Sequence, residues 1–134
     1  MTTVTDHRAG STDENAHTEA MAHDAIAITV AFDAIAFDAD RALAPHRLMP
    51  PPGEIADLTD RLIAHGARLV GVVKTVPEAE HSVRAKGALK DWYDLTESGA
   101  GHGAMANWMH MRALARMCRT FMDYLREREG RGRP

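Results

Sequence analysis

The chain contains one cysteine in 134 residues, Cys118. A lone thiol cannot form an internal disulfide, and it suits a reducing compartment. No apolar run approaches the ~20 residues needed to span a bilayer. The N-terminus lacks the basic-then-apolar pattern of a secretory signal. These absences predict a soluble, cytoplasmic protein with no membrane partner. Strong net charge is missing too. Sixteen Lys and Arg against 19 Asp and Glu leave −3, too little to point to nucleic acid. There is no internal repeat, and no heptad run long enough for an extended coiled coil.

What is present is an ordinary globular composition, 45% hydrophobic and 26% charged, in a length that fits one domain. The charge is unevenly spread. Residues 1–44 hold eight acids and two arginines, whereas residues 104–134 hold seven arginines and three acids. The two ends should attract, within one chain or between two. Residues 1–18 are polar and poor in large apolar groups, so a disordered tail is expected there. Residues 129–134 read as a basic C-terminal tail, leaving 19–128 as the domain.

Hydrophobic periodicity predicts four helices in that domain. The first covers about 19–44, with Phe32, Ile35, Ala39 and Leu43 on one stripe and Ile26, Val30 and Phe37 on a second. A helix apolar on two faces is either central or shared with another subunit. A strand through 26–32 competes, because Ile28, Thr29 and Val30 are a β-branched run. Pro45 and the run Pro50-Pro51-Pro52-Gly53 end this helix. The second covers about 54–75, with Ile55, Leu58, Leu62, Leu69, Val72, Val73 and Val76 inward and Gly66 and Gly71 permitting close packing; its last residues, 70–76, could also be a strand. The third covers about 78–97, Pro77 fitting its first turn, with Ala85, Leu89, Trp92, Tyr93 and Thr96 inward. A glycine-rich turn at 99–103 precedes the fourth, about 104–128, with Met111, Leu114, Ala115, Cys118, Phe121, Met122 and Leu125 inward. Four helices with short connections predict an all-α, single-domain antiparallel four-helix bundle with disordered termini.

Three histidines land on the inward stripes: His65, His81 and His110. A buried imidazole needs a partner, which is usually backbone or a hydroxyl and sometimes a metal or substrate. Glu78 and His81 form a Glu-x-x-His string, a spacing that bundle carboxylate–iron sites use. Such sites need two strings and further inward glutamates. The only other string, Glu14 to His17, lies in the expected tail. His65, His81, His110 and Glu78 are thus the metal candidates, and no metal or other cofactor is assigned. The turn at 99–103 lacks the lysine and spacing of a phosphate loop. Cys118 reads as a core thiol. Arg41 and His46 match an Arg-x4-His pattern of some small helical ribonucleases, a loose string that a proline interrupts. Trp108, Arg112, Arg116 and Arg119 share the face opposite the fourth helix's core stripe. Exposed Trp and Arg together are what binding hot spots favour.

Two segments carry a resemblance. Leu62-Ile63-Ala64-His65-Gly66-Ala67-Arg68-Leu69-Val70 and Ala106-Asn107-Trp108-Met109-His110-Met111-Arg112-Ala113-Leu114-Ala115-Arg116 resemble the two signatures of a family of short, uncharacterised actinobacterial (Streptomyces-type) helical proteins. That family is labelled as natural-product biosynthesis proteins. Gly71 stands where its members often have proline. The resemblance implies an all-helical fold and a link to specialised metabolism, and it singles out His65 and His110.

The favoured expectation is a non-catalytic accessory protein. It would bind a protein partner, or a second copy, through Ile26, Val30 and Phe37 or through the Trp108–Arg112–Arg116–Arg119 face. The alternative is a small enzyme or ligand-binding bundle with a His-lined cavity. There His65 would be general base or metal ligand, His110 its partner and Tyr93 a donor. The first is preferred because no inward acid–base pair accompanies the histidines. Nucleic acid comes third, since only the last helix and tail are basic.

Overall fold

The computed structural model describes residues 31–131. All regular structure among the described residues is helical. Helix α1 is described over 31–43; α2 is Pro52–Val73, α3 is Val83–Ser98 and α4 is Ala104–Arg131, with a 3-10 turn at Glu78–Glu80 between α2 and α3. The compact unit that these helices build begins at Ala34. The first part of the expected first helix, and the expected N-terminal tail, lie outside the described residues.

Local chemistry sets the ends. Pro52 occupies the start of α2, where a missing N–H is harmless, and Glu54 adds an acid to its first turn. Ile55, Leu58, Leu62, Leu69 and Val73 then bury one stripe, and the helix holds to Val73 despite the β-branched end. The third helix starts later than its spacing predicts. Pro77 does not open it; instead it precedes the 3-10 turn. The true N-cap is Ser82, whose hydroxyl accepts from the Ala85 N–H at 3.0 Å. Gly99, at φ 68°, supplies the left-handed residue that ends α3.

The core lies where α2, α3 and α4 meet. Met111, Leu114, Ala115, Cys118, Phe121 and Met122 of α4 are buried, as are Leu58, Leu62 and Leu69 of α2. The Trp92 ring of α3 meets Phe121 edge-on, centroids 6.2 Å apart. It also lies against Gly66. A Cβ there would stand 1.9 Å from the indole, so this glycine is what lets the Trp92 ring of α3 lie against α2. Gly71, by contrast, faces open space. Tyr93, expected inward, is 41% exposed. It sits one residue past the buried Trp92, about 100° round the helix, and turns to the Lys74 ammonium 4.8 Å from its ring.

Candidate functional site

Helices α1 and α2 are joined by a polar cluster. Asp38 follows Ile35 by three residues and precedes Ala42 by four, which puts a carboxylate on the buried stripe of α1, 5% exposed. His65 Nε2 donates to its Oδ2 at 2.7 Å, and Arg61 Nη1 stands 3.5 Å from Oδ1. Arg61 also holds Asp57, at 3.3 Å. A carboxylate taken out of water needs such partners, and here both its oxygens have one. This corrects the expectation that no inward acid–base pair accompanies the histidines. The signal was legible: Asp38 sits at helical spacing from Ile35 and Ala42, among small and apolar neighbours.

His81 is occupied differently. Its Nε2 lies 3.0 Å from the Val76 carbonyl and 3.2 Å from that of Val73. Both are acceptors, so this nitrogen carries the proton and caps the end of α2. The ring meets Tyr124 edge-on. Glu78 is exposed in the 3-10 turn and His81 has extended backbone, so the Glu-x-x-His spacing loses the shared face an α-helix would give it. Among the described residues no three His, Cys, Asp or Glu side chains gather to hold a metal ion.

The tryptophan–arginine face is not a vacant surface. Arg112 donates to the Ala42 carbonyl at 3.2 Å and lies near that of Ala44, so it caps the end of α1. Its guanidinium also covers the Trp108 ring at 5.9 Å, and His46 packs edge-on against that ring. Trp108 is half-buried. Arg119 pairs with Asp40 of α1 at 2.6 Å. This is one ion pair within the chain between the acidic and basic segments; most acids of residues 1–44 lie outside the described residues. Of the four, only Arg116 keeps to the far side, beside a smaller pocket with Asp91 and Thr120. Arg41 pairs with Glu54, away from His46. Phe37 is 64% exposed, with Arg41 over its ring; Ile26 and Val30 lie outside the described residues.

His110 is the remaining inward histidine, and it has no hydrogen-bond partner among the described residues. It is 9% exposed, and it lines a pocket of about 490 Å³. The pocket lies between the first half of α2 and the start of α4. Pro52, Ile55, Ala56, Ala100 and Ala104 make it apolar, and Thr59, Asp60 and Asn107 bring the other polar groups. Burial lowers the His110 pKa from its ordinary 6.5, so the imidazole is neutral at pH 7. A neutral imidazole offers one donor and one acceptor. Thr59 already donates to the Ile55 carbonyl at 2.7 Å, leaving its oxygen as an acceptor.

The glycine-rich turn contributes to this site. Gly103, at φ 94°, and Ala100 stand at the pocket rim. His65 is on the α1 side, engaged with Asp38; Tyr93 faces Lys74. The trio His65, His110 and Tyr93 is therefore not assembled into one site. Sequence reasoning missed Asp60, Asn107 and Thr59, which are plain polar residues on amphipathic helices and carry no distinguishing spacing. Cys118 is a core thiol whose Sγ points to the Leu62 carbonyl, and burial pushes its pKa up to about 12.

A family of unknown function, DUF6415, matches residues 33–130. No curated protein and no solved structure matches the chain. The family match spans most of the chain, which belongs to that family.

Proposed function

We propose that this DUF6415 member is a small-molecule-binding domain whose ligand sits in the pocket lined by His110. One observation carries the reading: an imidazole with no protein partner among the described residues stands on the wall of an apolar pocket of about 490 Å³, its ring nitrogens left open to it. Small-ligand sites pair apolar walls with a few polar groups. The expected partner-binding face has lost most of its support, since Arg112 and Arg119 are engaged within the chain.

The setting we propose is an antiparallel four-helix bundle. Its support is the order of the pairings. Asp38 meets Arg61 and His65 while Arg41 meets Glu54; Arg84 meets Asp123 and Glu127 while Trp92 meets Phe121. Each runs backward along its partner helix. Bundle ligand sites lie between helices, as this pocket does. The resemblance of residues 62–70 and 106–116 to natural-product biosynthesis proteins supports an intermediate of specialised metabolism as the ligand, and the lone buried thiol supports a cytoplasmic place.

The test is ligand-detected NMR of a fragment library against three proteins: wild type, His110→Leu and His65→Gln. Fragments should bind wild type and His65→Gln and lose His110→Leu. A library silent against wild type, or hits indifferent to His110→Leu, would refute the reading.

A second reading keeps the accessory role. Phe37 at 64% exposure on α1, with Leu48 at 83%, favours a partner or a second copy on that side. Phe37→Asp should then weaken self-association in sedimentation while leaving the helical signal intact. A monomer indifferent to that change contradicts it.

A further inference from the structure

We infer that the molecule bound in the His110 pocket carries an amine: a small cation with an apolar body, its ammonium facing Asp60 and its body on Ile55, Ala56 and Ala104. This rests on the reading of the pocket as a ligand site and adds the ligand's charge to it. The acids near the start of α2 divide into two kinds. Glu54 is paired with Arg41, and Asp57 with Arg61. Asp60 lines the pocket and has no ion-pair partner among the described residues, and no lysine or arginine lines the pocket with it. An unpaired carboxylate beside apolar walls favours a cation, because the walls exclude part of the water that would otherwise screen the pair.

His110 does not offset this charge, since burial keeps it neutral at pH 7. The start of α4 also borders the pocket. A helix N-terminus carries roughly half a positive charge and would by itself favour an anion. The full negative charge of Asp60 opposes that selection, so a carboxylate or phosphate ligand is disfavoured. Asn107 and the His110 imidazole remain for a second polar group, such as a hydroxyl or a carbonyl, on the same molecule.

The test uses matched triads on the full chain by calorimetry: 2-phenylethylamine, 2-phenylethanol and 3-phenylpropionate, with cyclohexyl and indolyl counterparts. The amine should bind roughly fivefold tighter than its alcohol, as expected for a partly exposed ion pair, and the carboxylate weakest. Asp60→Asn, a change at an exposed helix position, should bring the amine to the alcohol's affinity and leave the alcohol unchanged. Added salt should narrow the gap. Alcohols that equal the amines, or a preference that survives Asp60→Asn, would overturn the amine inference while the pocket reading stands. If no compound binds and the His110 ring resonances do not move, both fail.

Discussion

Two histidine environments lie along helix α2, one half-buried at its seam with α1 and one more deeply covered at its mouth with α4, and they differ in their partners. At the seam with α1, His65 meets a carboxylate, and that carboxylate meets an arginine. At the mouth between α2 and α4, His110 is as covered as a core residue but meets no protein group among the described residues. The seam satisfies both oxygens of its buried carboxylate, so its work is structural. The mouth is incomplete, so its bonds await something from outside.

The largest expected effect breaks the complete side. Asp38→Ala strands His65 and Arg61 beside a cavity and should cost about 2–3 kcal/mol, below the usual loss for a fully buried pair because both partners reach solvent. Chemical denaturation measures it; fragment binding at the pocket should survive where the protein stays folded. Arg112→Ala should cost about 1 kcal/mol by uncapping α1. If that change instead left stability untouched, the arginine would be a surface residue after all. His110→Leu should stay within about 1 kcal/mol of wild type, because it removes no bond the protein makes, yet abolish fragment binding.

Acid sharpens the same contrast. His110 has a folded pKa below its unfolded value. Its contribution is complete above pH ~6.5 and is lost as pH falls through the folded pKa, because the unfolded chain takes up the proton first. Thermal midpoints of wild type should therefore fall between pH 7.5 and 5.5 more than those of His110→Leu. An unchanged difference would mean the ring titrates as if in water. The smallest effect is on Cys118. Its thiol, pushed up to about 12 and fully buried, should resist labelling in the native protein. Asp38→Ala should speed labelling by easing unfolding, and His110→Leu should leave it alone.

Much of the fold was legible in the sequence. The apolar stripe of α4 from Met111 to Met122 and that of α2 from Ile55 to Val73 are buried as their spacing predicts, because 3.6-residue periodicity reports directly on what a helix must hide. Gly66 was legible as a close-packing position, though not that Trp92 fills it. The start of α3 was misread because proline suits both a helix's first turn and the residue before a 3-10 turn; Ser82, the real cap, was the better signal. Asp38 was missed because acids are normally assigned to the solvent side without asking whether a histidine faces them. The tryptophan–arginine face was correctly placed on its helix, but an angle does not say what stands opposite. Here it is the end of α1. The pocket was least legible, since it depends on where two helix starts diverge rather than on any one segment.

The most direct measurement is protein-observed NMR of the 15N-labelled chain during fragment titration, with the His110 ring nitrogens as reporters. The account predicts shifts confined to residues 52–60 and 100–110, a change at the His110 ring, and silence at His65. Shifts centred on His65 and Asp38, or no fragment that moves His110, would contradict it.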